Sequence, residues 1–276
     1  DLDLPRWEAC WNRLIRHHDM LRCVIMEDGR QRILPEVPPF TVTVQDATGL
    51  DAGAAEQMVL ECRERMGHEV LSAKEWPLFR VAATRMPGGP IRLHISLDLL
   101  VADLHSMNLM MNGLESLYRY PEREPAPLDL SFRDYVLVLE AFRKSPRYRK
   151  DKEYWLERVA ALPPAPDLPL AVPPAQVERP RFVRHAAQLD RKTWADLRQK
   201  AAAHELTVSG LLLACYAEVL ARWSSRDEFT LNVTLFNRLP LHPEVGEIVG
   251  DFTSVSLLAC SFDGTASFLR RARALQ

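Results

Sequence analysis

Residues 98–106 read DLLVADLHS. They follow the alternating run IRLHISL (91–97), which has the period-two pattern of a strand, and precede MNLMMNGLESLY (107–118), whose apolar residues recur at helical spacing. A strand passing through a short turn into a helix calls for a mixed α and β domain. This turn also carries two aspartates, Asp98 and Asp103, a histidine, His105, and a serine, Ser106. Asp and Ser cap helices and hold turns by bonding nearby backbone N–H groups. The same residue types also perform acid–base chemistry, so spacing alone leaves a plain turn and an active site both open.

Upstream of the turn, WEACWNRLI places Trp7, Trp11, Leu14 and Ile15 on one helical face, and LRCVIMEDGRQRIL reads as two strands around Asp28-Gly29. TVTVQ is a further strand, Ala54 to Leu71 an amphipathic helix, and FRVAATRMPGGPIRLHISL a hairpin joined at Pro87-Gly88-Gly89. Downstream, helices are expected at 106–119, 131–144 and 146–161, the last with Ser145 as cap and Pro146 at its first position.

Residues 162–180 hold seven of the 20 prolines and are expected to run extended over the surface as a connector. Beyond them FVRHAAQL (182–189) reads as a strand, Asp190 caps a helix to about 203, and Thr207 caps the apolar helix VSGLLLACYAEVLARW, which is expected to be buried. FTLNVTLF and FTSVSLL then read as strands flanking NRLPLHPEVGEIVGD. These elements predict an α+β chain with an N-terminal lobe at 1–161, the connector at 162–180 and a C-terminal lobe at 181–276.

The 276 residues are 47% hydrophobic and 26% charged, ordinary globular usage, with no apolar run near the roughly 18 residues of a membrane span. A net charge of −2 and a pI near 6.5 argue against a nucleic-acid partner. Five scattered cysteines form no C-x-x-C pair, which fits a reducing cytoplasm and neither a disulfide framework nor a zinc site. The opening DLDLPRWEACW lacks a secretory signal, and Asp1 suggests a start inside a longer chain.

Other chemical candidates have plainer explanations. His17 and His18 stand at a helix end, where cations favour the dipole. Cys215, inside an apolar helix, reads as a small core residue. No phosphate-binding G-x-x-x-x-G-K-[ST] or G-x-G-x-x-G loop occurs, and His94, His105 and the aspartates lack the second ligand cluster that a metal would need.

The stretch D-L-L-V-A-D-L-H-S resembles the D-x-x-x-x-D-x-x-S signature of heterocyclization domains in nonribosomal peptide synthetases, a branch of the condensation-domain superfamily. RHHDMLR, LSFRDYVLVLE with YWLERVAALPPAPDLPL, and LNVTLFNRLPLHPEVGEIVGDFTS are similar to the same family, lie in its order and span nearly the whole chain. The resemblance implies a two-lobed fold like chloramphenicol acetyltransferase, with a tunnel between lobes. Two carrier-protein phosphopantetheine arms would deliver substrates there, with no cofactor bound directly, no nucleic acid and no membrane. Carrier and adenylation domains would be the partners, in secondary metabolism of the siderophore type.

Ordinary condensation domains carry H-H-x-x-x-D-G at this turn. With their final aspartate set on Asp103, Asp98 takes the place of the first His, Leu99 that of the catalytic second His, and Leu104 that of the glycine. Leucine cannot accept a proton. The resemblance therefore implies condensation of a carrier-bound acyl or peptidyl thioester with carrier-bound Cys, Ser or Thr, then cyclodehydration to a thiazoline or oxazoline. An ordinary condensation or acyltransferase domain and a noncatalytic docking lobe are the rivals.

Asp98 and Asp103 are the expected catalytic residues, Asp98 handling a proton or organising the loop, while Ser106, Arg238, Asp251 and Thr253 are expected to shape the tunnel. Asp103 is expected to pair with Arg238 from the other lobe, and Ser106 to cap the following helix, so that Ser106→Ala costs about 1 kcal/mol. The family's opening segment, P-L-T-x-x-Q-x-A-Y-x-x-G-R, is not found before Asp1, and the threonine and aspartate implicated in cyclodehydration fall beyond Gln276, so Thr253 does not take that role. A chain truncated at both ends is expected to be poorly soluble, with a sheet edge and part of the helix around Leu211 to Trp223 uncovered.

Overall fold

A computed structural model describes residues 2–276 except 179, 263 and 265. The chain forms two compact units, Asp1–Ser145 with Phe236–Ser254, and Pro146–Leu235 with Val255–Gln276. This differs from the division read at the proline-rich stretch. Residues 146–161 go with the second unit, and 236–254 return to the first because Val245, Ile248, Val249 and Phe252 are buried in its core.

The first unit opens with α1 (Leu4–His17), whose N-terminus is held by the Asp3 carboxylate accepting the Arg6 N–H at 3.1 Å. The apolar stripe read in sequence, Trp7, Trp11, Leu14 and Ile15, is buried. The antiparallel strands β1 (Cys23–Ile25) and β2 (Gln31–Ile33) turn at Gly29, whose φ of +79° suits a residue without Cβ. A three-stranded sheet follows, in which β3 (Thr43–Asp46) runs parallel to β4 (Phe79–Arg85) and β4 antiparallel to β5 (Ile91–Leu97). Between β3 and β4 lies α2 (Ala52–His68), capped by Asp51.

β4 is covered on both faces. Phe79, Val81 and Ala83 enter the main core, whereas Ala82 packs with Cys62 and Met66 of α2. Trp11, Phe40, Trp76 and Phe79 form an aromatic cluster with ring centroids 5.0–6.4 Å apart. The helix that follows the aspartate turn, α3 (Leu104–Arg119), buries Met110, Leu114 and Leu117 in the same core. It approaches α1 so closely that a Cβ on Gly113 would sit 3.1 Å from Leu14. α4 (Phe132–Phe142) carries a capping box between Ser131 and Asp134 and buries Phe132 and Tyr135.

His17 and His18 do end α1, but the dipole argument fails for His18. Burial pushes its pKa down to about 3, with His17 adding to the shift, so the ring is neutral and acts as packing.

The second unit begins with α5 (Pro146–Val159), whose residues are exposed or half-exposed. The proline-rich stretch contains a 3-10 turn at Pro174–Gln176 and is tied down, since Thr230 N–H donates to the Pro164 carbonyl and Ser225 N–H to that of Asp167. Asp190 caps α6 (Arg191–Ala203) and Thr207 caps α7 (Val208–Trp223), as their sequence signals predict. β6 (Glu228–Phe236) and β7 (Thr253–Ser261) form a two-stranded sheet, and α8 (Phe268–Leu275) packs on α7.

Three expectations fail here. FVRHAAQL forms no strand: Phe182 and Val183 are 87% and 71% exposed, and without a ladder partner an extended segment has no sheet to join. Cys215 is exposed rather than in the core. Against the reading of a buried helix, α7 buries only Gly210, Ala214 and Ala217, because α6, α8 and the sheet cover its small-residue face; the exposure of Leu212, Tyr216, Val219 and Trp223 agrees instead with the expectation that part of the helix around Leu211 to Trp223 is uncovered. Among the described residues no single helix is long and apolar enough to cross a membrane.

Candidate active site

The turn after β5 is held by its own backbone and by Asp98. The Asp98 N–H donates to the Leu78 carbonyl at 3.0 Å, and the Val101 N–H to the Asp98 carbonyl at 3.2 Å. The Asp98 carboxylate accepts the Leu100 N–H at 2.9 Å, the local bond that suits aspartate to turns. The Gln31 amide, from β2, donates to the Leu100 carbonyl at 3.2 Å. Val101 and Ala102 are buried anchors, whereas Leu99, Leu100 and Leu104 project with exposures of 67%, 41% and 55%. Asp98 is half-buried, and its second oxygen takes no protein hydrogen bond among the described residues.

Asp103, not Ser106, caps α3: its Oδ1 accepts the Ser106 N–H at 2.7 Å. Ser106 lies a turn further in and uses its hydroxyl elsewhere. Oγ donates to the Gly250 carbonyl at 2.9 Å and accepts the Gly250 N–H at 3.1 Å and Arg238 Nη2 at 2.8 Å. The Gly250 carbonyl also accepts the Asp103 N–H at 3.1 Å. The cap assigned from sequence was therefore one turn position off, because both residues satisfy the local capping pattern and only the approach of Gly250 distinguishes them.

Arg238 closes the cluster. Nη2 lies 3.1 Å from Asp103 Oδ1, with side chains 10% and 0% exposed, and Nη1 donates to the Val245 and Ile248 carbonyls, both at 2.8 Å. Its guanidinium carbon sits 3.7 Å over the Phe252 ring. Both partners belong to the first unit, which corrects the expectation that the arginine comes from the other lobe. Burial opposes ionisation of Asp103, but hydrogen bonds from Ser106 and the Arg238 charge outweigh it and hold the carboxyl below its usual pKa. Asp103 Oδ2 and Arg238 Nε are buried without a partner among the described residues.

Asp251 and Thr253 stand apart from this cluster. The Asp251 carboxylate accepts the Thr253 N–H at 2.9 Å, a local turn bond, and Thr253 is exposed. His105 Nε2 lies 3.1 Å from the Gly246 carbonyl. No group of three or more His, Cys, Asp or Glu side chains among the described residues could hold a metal ion.

Gly250, Phe132, Tyr135 and Phe252 lie in segments that carry the family resemblance, but the sequence assigned them no individual role. The Tyr135 hydroxyl donates to the Asn237 carbonyl and accepts the Leu239 N–H, pinning the segment that carries Arg238. A Cβ on Gly250 would lie 2.2 Å from the Phe132 ring, and the glycine in VGDF was the available signal. Gly250→Ala should therefore destabilise the fold by about 1–3 kcal/mol, since the buried ring must move. A urea midpoint equal to wild type would show that the ring yields freely. Ser106→Ala should cost about 1–3 kcal/mol, more than loss of an exposed cap, because it strands the buried Gly250 N–H. Denaturation measured beside Ser106→Thr, which keeps the hydroxyl, separates the lost bond from other effects.

The chain is 40% identical over 273 residues to pyochelin synthetase PchF of Pseudomonas aeruginosa, covering 99% of this chain and 15% of that protein. It is 35% identical over 279 residues to phenyloxazoline synthase MbtB of Mycobacterium tuberculosis, covering 100% and 19%. Among solved structures, the EpoB cyclization-docking bidomain of a nonribosomal peptide synthetase from Sorangium cellulosum superimposes with a TM-score of 0.89 at 39% identity, over 100% of this chain and 56% of that one. The chain thus spans less than a fifth of those two synthetases and about half of the bidomain. The condensation-domain family matches residues 1–276 of this sequence, and the chain belongs to that family.

Proposed function

We propose that this chain is a heterocyclization domain of a nonribosomal peptide synthetase. It joins an upstream carrier-bound acyl or peptidyl thioester to the amine of a carrier-bound Cys, Ser or Thr. The side chain of that residue then attacks the new amide carbon, and water leaves to give a thiazoline or oxazoline. The substrates arrive on phosphopantetheine arms of carrier domains, with adenylation domains as neighbours, in a soluble cytoplasmic assembly line.

The observation that carries this reading is the turn at 98–106. Asp98, one of whose oxygens has no partner among the described residues, stands beside an exposed Leu99, where ordinary condensation domains resemble this chain but hold the catalytic histidine. Attack on an amide needs a proton taken from the thiol or hydroxyl and protons supplied to the departing oxygen, in a site that excludes water. Asp98 is assigned to that site. Asp103 is enclosed and held ionised by its Oδ1 contacts with Ser106 and Arg238, so it positions the turn, and Ser106 and Arg238 hold the wall behind it. Asp251 and Thr253 shape the adjoining segment.

Supplying the full-length protein with loaded donor and acceptor carriers and weighing the product tests the reading. A carrier-bound product lighter by one water than the amide is expected. Amide alone would mark an ordinary condensation domain, and no product a noncatalytic lobe.

A further inference from the structure

We propose that Gln31 is a positioning residue for the cyclization step, fixing through Leu100 the place at which the Asp98 carboxylate stands. This rests on the function proposed above. Gln31 lies 69 residues before Leu100 in the chain, and its side-chain amide donates to the Leu100 carbonyl at 3.2 Å. The Leu100 N–H in turn donates to Asp98 Oδ1 at 2.9 Å. These two backbone groups belong to the peptide planes on either side of the Leu100 Cα, so holding both removes that residue's freedom in φ and ψ. The carboxylate assigned to the chemistry is therefore held by an N–H that is itself held.

The two ends of the turn are anchored without Gln31. The Asp98 N–H donates to the Leu78 carbonyl, and Val101 and Ala102 are buried. Between them Leu99 and Leu100 are exposed, and among the described residues no backbone N–H reaches the Leu100 carbonyl. Gln31 stands on a fixed base, because it pairs with Ile25 across β1 and β2, the Ile25 N–H donates to the Ala73 carbonyl at 2.7 Å, and Cys23 and Val24 are buried. An exposed glutamine that exchanges water for a protein carbonyl gains little stability. What the bond secures is geometry, and a misplacement of about 1 Å in a reacting group costs about a hundredfold in rate.

Gln31→Met keeps the length of the side chain and removes its donor. The full-length protein, given a benzoyl donor and a cysteine acceptor on their carriers, is followed in single turnovers, with uncyclized amide and azoline measured separately. Azoline formation by Gln31→Met should fall about tenfold or more while amide formation stays within about twofold, so that amide accumulates as it should in Asp98→Asn. Added to Asp98→Asn, Gln31→Met should cost less than about twofold more, because the group it places no longer carries the chemistry. A wild-type ratio of azoline to amide in Gln31→Met, beside a defective Asp98→Asn, would overturn the placement alone. Amide and azoline lost together, with a lowered urea midpoint, would make Gln31 a structural residue and overturn it equally. Amide without azoline from wild type would overturn the proposed function, and the placement with it.

Discussion

Replacing Arg238 with methionine should lower the unfolding free energy by about 3–5 kcal/mol, because the partner it leaves behind stays buried and charged. Asp103 has no exposed side-chain surface, and methionine supplies none of the donors that Arg238 gives to Asp103, Ser106 and the Val245 and Ile248 carbonyls. Adding Asp103→Asn to Arg238→Met removes the stranded charge, so the double variant should lose less than the sum of the two single losses. The pH profile gives a second reading. Asp103 has a lowered pKa in the folded chain, so on acidification the unfolded chain takes up the proton first. The stability it contributes is present above the ordinary aspartate value, about 4, and is lost as pH falls towards the folded value. Without Arg238 that dependence should flatten. A loss under about 1 kcal/mol in urea titrations of Arg238→Met, together with an unchanged pH profile, would show that the cluster does not hold the wall.

Asp98→Asn should cut azoline formation by at least about a hundredfold while leaving the fold intact. The substitution is informative because of the bond Asp98 makes. An asparagine oxygen can still accept the Leu100 N–H that the carboxylate accepts at 2.9 Å, so the turn keeps its shape and loses only its charge and its basic oxygen. Asp98→Ala removes both. If Asp98 only organises the loop, Asn should retain turnover and Ala should not. Single-turnover assays of the two variants, with the uncyclized amide measured beside the azoline, decide between the roles. Turnover of Asp98→Asn equal to wild type would remove Asp98 from the chemistry.

What the sequence determined by itself is local. The stripe Trp7, Trp11, Leu14 and Ile15 is set by helical periodicity, the caps Asp190 and Thr207 by bonds reaching three residues along the chain, and the turn at Gly29 by its positive φ. The strand–turn–helix joint at 98–106 was legible for the same reason, and its family likeness singled it out as the candidate site. The rest depended on contacts between residues far apart in the chain. Ser106 with Gly250, Asp103 with Arg238 and Ser106 with Arg238 meet across 144, 135 and 132 residues, and no local pattern distinguishes a serine that caps from one that clamps a distant glycine. FVRHAAQL has strand composition but no partner, His18 has a titratable ring but a buried one, and α7 has an apolar sequence whose large side chains its neighbours do not cover. A segment's pattern states what it can bury or bond, whereas packing decides which of those groups finds a partner.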